Sequence, residues 1–293
     1  MTEADPFQAA IRIARASKSP MERAASALDG DRYKIFCATY ASMRVIDDYV
    51  DDDFLARPAA DRAAARPEAL GVTQAWRAGA VAALADGASP APTARFAETT
   101  SALAATHVLA GLDPTPWNRL AGAMARDINE APMPDWPDFL AYAEGATAAP
   151  AAVFVETLAL RKMGDGRLWT TLEKPAVETI RNSAVLLYLV HIMRDLAEDA
   201  AKGAELLTLP DTLFAEFGTS RNGFASDASD AANDADLVSR VRKGVAQYAE
   251  QFLEPAQAEL IEFGKFLTED EADILLGLCL PYIEKYERFA AQP

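Results

Sequence analysis

The sequence predicts an all-α protein, and three observations carry that prediction. Alanine is abundant and stands among many Leu, Glu and Arg, all good helix formers. Only 15 glycines occur in 293 residues, so long segments run without a natural break. Runs of β-branched residues bounded by turn residues are scarce, which argues against a large sheet. At 51% hydrophobic residues, the chain has enough apolar material for a sizeable core. No repeat or linker-like stretch divides it, so residues 1–293 read as one domain.

Taken in order, a first helix is expected from about Asp5 to Ser17. A second follows Ser19 and Pro20, and a longer one covers Arg32 to Asp53, where Phe36, Tyr40, Met43 and Val50 recur at helical spacing. Phe54 to Glu68 is polar, carries Pro58 and Pro67, and reads as a loop around a short helix. Helices follow at Val72–Asp86, Thr93–Ala110 and Pro116–Asn129. Pro132, Pro134 and Pro137 interrupt the chain before a helix near Trp136. Pro175 to Ala201 contains no internal glycine or proline and reads as one long helix. Thr219–Asp236 is rich in Ser, Asn, Asp, Gly and Ala, the composition of a mobile loop. Helices near Ala235–Phe263 and Glu269–Phe289 close the chain.

The formal net charge is −16. Phosphate-backbone binding needs basic patches, so nucleic acid is excluded as a partner. Electrostatic docking to an anionic membrane is disfavoured for the same reason, leaving at most peripheral contact. Cys37 and Cys279, the only cysteines, lie in apolar helical surroundings and read as buried free thiols, too few for a zinc site. No apolar stretch reaches ~18 residues, and no signal-peptide core is expected, so the location read from sequence is cytoplasmic.

The chemistry concentrates in two acidic segments. Arg44–Asp53, RVIDDYVDDD, carries five Asp within seven residues. On a helix Asp47 and Asp51 share one face, with Asp48 and Asp52 one step round. Like charges at that spacing repel by a few tenths of a kcal/mol per pair, a cost that a divalent cation offsets. The segment also follows the apolar run IFCATYASMRVI, and carboxylates beside a core need a partner or a metal. His191–Gly203, HIMRDLAEDAAKG, places Asp195 and Asp199 four apart. Arg194 presents forked donors suited to phosphate, and Lys202 adds a point charge. The plain alternative for either acidic pair is a solvated helix face. His107 reads as a packed or surface residue. Glycine-rich phosphate loops, a nucleophile elbow and Glu-x-x-His pairs do not occur.

These residues resemble the squalene/phytoene synthase family. TYASMRVIDDYVDD is similar to the family's first aspartate-rich motif and HIMRDLAEDAAKG to its second. GAMARD followed by FLAYAEGATAAP resembles the segments between them, SKS near the N-terminus the early serine motif, and CLPYIEKYERF the last helix. The resemblance spans nearly the whole chain. It implies an isoprenoid synthase fold around a central apolar cavity and head-to-head joining of two prenyl diphosphates, farnesyl or geranylgeranyl. It further implies Mg²⁺ at Asp47, Asp48 and Asp51 for one diphosphate and at Asp195 and Asp199 for the other. Arg44 and Arg194 then hold phosphate oxygens, Tyr40 and Tyr142 flank cationic intermediates, and Tyr282 is a looser match of that kind. Ser19, Asp127, His191 and Lys202 fall within the implied substrate site. No oligomeric state is implied.

The chain also departs from the family pattern. Tyr188 and His191 stand where the family has Gln and Asn, and His191 is read as filling the vacated amide position. AELLTLP, ending at Pro210, lacks the family's arginine and aromatic residue. Ala148 and Ala151 replace glycines. Ala146, Ala148, Ala149 and Ala151 read equally as a wall leaving room for a long chain or as close helix packing. NADPH-dependent reduction is therefore the least carried of the implied steps. Two alternatives stay open: a member ionising a single prenyl diphosphate, as a terpene synthase does, and a non-catalytic lipid-binding relative.

Overall fold

A computed structural model describes residues 5–88, 94–228 and 235–291. It is built of helices: α1 Gln8–Ala16, α2 Pro20–Ala25, α3 Gly30–Asp48, α4 Ala59–Asp86, α5 Ala97–Leu109, α6 Thr115–Ile128, α7 Trp136–Ala143, α8 Ala149–Leu158, α9 Ala176–Thr179, α10 Arg181–Lys202, α11 Asp211–Glu216, α12 Arg221–Ala228, α13 Ala235–Gly264 and α14 Glu269–Ala290. Among the described residues the only sheet is an antiparallel hairpin, β1 Leu160–Lys162 with β2 Leu168–Thr170. The expectation of an all-α fold holds. The described helices cover none of 89–93 or 229–234, so the start expected at Thr93 and the centre of the expected mobile loop lie outside the described residues.

Two buried indoles fix α3 against its neighbours. Trp76 of α4 donates to the Ser42 carbonyl at 2.9 Å, and Trp117 of α6 donates to the Ser42 hydroxyl at 3.2 Å. Both rings are fully buried, so each N–H needs its partner. Ser42 lies five residues before Asp47, so this pinning sets where the acidic end of α3 emerges. On the opposite side α10 packs along α13, and Glu259 of α13 caps the start of α10. Its carboxylate accepts from the backbone N–H groups of Asn182 at 2.9 Å and Ser183 at 2.8 Å. An acid at a helix N-terminus also meets the favourable end of the macrodipole. A buried triad ties the last helix to the first third: Glu271, in the capping box of α14, pairs with Arg32 and, at 2.5 Å, with Arg161.

Three expectations change. The loop expected over Phe54–Glu68 is mostly helix: α4 begins at Ala59 and runs through Pro67. Pro67 is exposed, as are Pro255 in α13 and Pro281 in α14, so the carbonyl each leaves without an N–H faces water. Arg62 and Arg66, both inside the segment expected as loop, grip Glu130 at 2.6 Å and hold the first turns of α4 in place. The single helix expected from Pro175 to Ala201 breaks at Ile180, whose φ of −128° is not helical, because Glu259 caps the chain beyond it. Finally, Arg221–Ala228 within the expected mobile loop is helix α12, held by the fully buried Phe224 and by Arg221 pairing Asp211 at 3.0 Å. Cys37 and Cys279 are buried and free, as expected.

Candidate active site

Beyond Asp48 the helix widens into a π-helical turn, Tyr49–Leu55, carrying Asp51, Asp52 and Asp53. A second such turn, Glu144–Ala148, follows α7. Such bulges re-aim side chains and recur at functional sites. Gly145 is required in the second: a Cβ there would lie 2.5 Å from the Arg119 carbonyl oxygen. The two turns and α10 enclose a polar cleft of about 310 Å³. Its walls bring together Asp47, Asp51, Asp127, Tyr142 and Asp199, all expected site residues, with Tyr188, Glu205 and Thr208, which were not expected there.

Electrostatics within this cleft are unfavourable to negative charge. Burial, with the neighbouring charges of Asp47 and Asp52, pushes the Asp51 carboxyl up to about 7, although the cleft leaves its surface partly open to water. Burial also raises Asp127 to about 7, opposed by the Tyr142 hydroxyl, which donates to it at 3.0 Å. Asp47 is raised by burial despite Arg44, and Asp199 by burial and Asp195. Arg44 lies 3.5 Å from Asp47 and 2.5 Å from Asp48. The Asp48 Oδ1 is nonetheless buried without an aligned hydrogen bond. The clustered carboxylates fit a hard divalent cation, which would relieve the repulsion among them. Among the described residues no three such side chains converge tightly enough to hold an ion alone.

Ala146 and Tyr188 also line a second, apolar cleft of about 320 Å³. Its walls include Phe154, Leu187, Leu260, Leu275, Leu278 and Tyr282, with Ser19 and His191 at its edge. Ser19 caps α2, accepting from the Met21 N–H at 3.2 Å. His191 packs against Tyr282 with ring centroids 4.8 Å apart. Burial, helped by Arg194, lowers His191 to about 4, so the ring is neutral at pH 7. The two readings of the alanines divide: Ala146 and Ala151 line the cleft, whereas Ala148 and Ala149 are fully buried in helix packing.

Other expected site residues stand aside from these clefts. Tyr40 stacks on Phe36 at 5.4 Å and lines neither. Arg194 donates to both oxygens of Asp195, at 2.7 and 2.5 Å, which holds that carboxyl below its ordinary range. Lys202 is exposed and pairs with Glu198 at 2.7 Å. Tyr188 was legible as a site residue, since 188, 192, 195 and 199 follow helical spacing along α10. Glu205 and Thr208 fall in AELLTLP, already marked as a departure from the family pattern, but on a short 3₁₀ turn and the chain after it spacing gives no orientation towards the cleft.

The family model for squalene/phytoene synthase matches residues 14–268. The chain belongs to that family. It is accordingly an enzyme of prenyl transfer, of the squalene/phytoene synthase type. The fold is similar to a crystal structure of a dehydrosqualene synthase in complex with ligand, with a TM-score of 0.68 and 17% sequence identity, covering 95% of this chain and 84% of that one. No curated protein matches the chain by sequence. No helix among the described residues is long and apolar enough to cross a membrane.

Proposed function

We propose that this protein joins two allylic prenyl diphosphates, farnesyl or geranylgeranyl, head-to-head and releases diphosphate, giving presqualene diphosphate, squalene or phytoene. The observation that carries this reading is the meeting of Asp47 and Asp51 with Asp199, about 150 positions further along the chain, in one polar cleft that shares the walls Ala146 and Tyr188 with an apolar one. Prenyl diphosphates have that shape: a polyanionic head and a long apolar tail.

Asp47, Asp48, Asp51, Asp195 and Asp199 are the proposed metal-holding residues. A Mg²⁺ ion held by them would supply positive charge to the departing diphosphate. Arg44 and Arg194 hold phosphate oxygens with forked donors aimed at the developing charge. The Tyr142 hydroxyl donates to Asp127, which keeps the Tyr142 ring oriented in the wall of the polar cleft. Tyr188 and Tyr282 present aromatic faces to an allylic cation, and the apolar walls keep water from it. His191, neutral in this setting, adds no competing positive charge beside that cation. Leu206 and Thr208 stand where the family pattern carries an arginine and an aromatic residue, and the neighbouring Glu205 faces the polar cleft, where its charge opposes an NADPH phosphate. The whole chain is proposed to work as one such domain.

The test is to incubate the protein with Mg²⁺ and farnesyl or geranylgeranyl diphosphate, with and without NADPH, and to analyse the extracted lipids. A C30 or C40 product that is unchanged by NADPH is expected. A C15 or C20 product alone would replace this reading with ionisation of a single substrate, and the absence of any product would remove it.

A further inference from the structure

The apolar cleft runs along one face of α10. Ile180, Ser183, Ala184, Leu187, Tyr188 and His191 line it, and their spacing of three and four positions marks a single stripe. At one end of the stripe Tyr188 also lines the polar cleft, and His191 packs on Tyr282. The other end is closed. Glu259 caps α10 at Asn182 and Ser183, which seats the next residue, Leu260, at the level where α10 begins. Leu158, Val177 and Phe263 join Ile180 and Leu260 in one buried apolar cluster and line neither cleft, so the hollow stops there.

The helix serves as a ruler. It rises about 1.5 Å per residue, so Ile180 lies about 12 Å from the level of Tyr188 and about 16 Å from that of His191. An extended carbon chain advances about 1.2 Å per bond, as the peptide backbone does over its three bonds per residue. A farnesyl tail, with eleven bonds from its diphosphate-bearing carbon to its end, reaches about 13 Å, and a geranylgeranyl tail, with fifteen, about 18 Å. The first matches the cleft. The second overruns both limits and drives its last carbons into a packed layer without room for them.

We propose that this cleft is an end-stopped site for a C15 prenyl tail, and that Ile180 and Leu260 set its length. Its use as a tail site rests on the proposed prenyl transfer; the length rests on α10 and the end wall alone.

Isothermal titration calorimetry of the full chain with Mg²⁺ and the non-ionising farnesyl and geranylgeranyl thiodiphosphates tests it. The probes share one head, so the ratio of their affinities reads the tail. The farnesyl probe is expected to bind at least ~10-fold tighter, the scale on which an apolar pocket rejects added carbon. Ile180→Ala and Leu260→Ala each open the end wall and are expected to cut the ratio to below ~3-fold, chiefly through tighter binding of the longer probe. Circular dichroism checks the fold of each, and either one suffices should the other fold poorly. Equal affinities in the parent, tighter binding of the longer probe, no binding of either, or a ratio unchanged in the folded variants overturns the assignment. Neither probe has to react, so the two readings fail separately. Tail discrimination without a C30 product removes head-to-head joining and keeps the C15 cleft; a C30 product without discrimination keeps the joining and removes the end wall.

Discussion

At the end of α3, Asp47 and Asp51 face an enclosed cleft with other carboxylates for company, and both are pushed towards protonation. On α10, Asp195 is gripped by Arg194 at both oxygens and held ionised, and only Asp199, one turn on, reaches the shared cleft. Two stretches with the same i, i+4 pattern thus differ in what satisfies them. The first lacks a partner that a cation would supply. The second already has one, and serving a ligand there means exchanging the Arg194–Asp195 pair for a metal on the acid and a phosphate on the guanidinium. Arg44 and Asp48 offer a looser version of that exchange, close in distance but poorly aligned.

If both helices serve one reaction, removing an acid from either is the largest blow. Asp47→Ala and Asp195→Ala are each expected to lower turnover by at least ~10³-fold, the scale of losing charge stabilisation at the reacting group. Helix content by circular dichroism should stay unchanged. Full activity in either variant would remove that helix from the site and break the comparison.

Glu156 separates burial from function. It is a buried carboxylate on α8, raised to about 7 by burial, with only the Asp113 backbone N–H to relieve it, and it lines neither cleft. Its folded pKa lies above its unfolded one, so its contribution to stability is most favourable at low pH and declines as pH rises from about 4.5 to about 7. Glu156→Gln should erase that slope and stabilise the protein above pH 7 by on the order of 2–3 kcal/mol, with activity retained. Melting temperatures of both proteins across pH 4–8 measure it. A loss of turnover in Glu156→Gln would mean that raised carboxyls outside the acidic cleft also serve the reaction.

Within the cleft itself, the same upward shifts predict a competition between protons and metal. With Asp51 and Asp127 near 7, Mg²⁺ must displace protons at pH 6 but not at pH 8. The Mg²⁺ concentration for half-maximal activity is expected to fall by about tenfold over that range. Asp51→Asn should flatten the dependence, and an unaltered pH response in that variant would detach Asp51 from the cation.

What the sequence made legible follows from what helical periodicity can express. The spacing of Asp47 with Asp51 and of Asp195 with Asp199 placed each pair on one helix face, and the apolar run before Asp47 marked its burial. The π-helical widening after Asp48 was not legible, because DDYVDDD reads the same in either helix type. Pro67 pointed to a loop; the helix persists because that proline faces water while Arg62 and Arg66 hold Glu130. The break at Ile180 is imposed by Glu259, a residue 79 positions later, and no local signal contains it. Glu205 and Thr208 reach the cleft from an irregular strap, where spacing carries no orientation.

The smallest expected effect concerns Lys202, which the family resemblance placed in the substrate site. Its side chain is exposed, paired with Glu198 one turn back along α10, and absent from the walls of both clefts. An exposed i, i+4 pair contributes little and is screened by salt, so its removal leaves the helix intact. Lys202→Ala is expected to change kcat and KM for prenyl diphosphate by less than about twofold at physiological ionic strength. The contrast with Asp199, three residues earlier and facing inward, then marks where the acidic end of α10 stops serving the site. A rise in KM of tenfold or more, with kcat preserved, would show that substrate draws Lys202 away from Glu198, and the boundary would move one turn further along the helix.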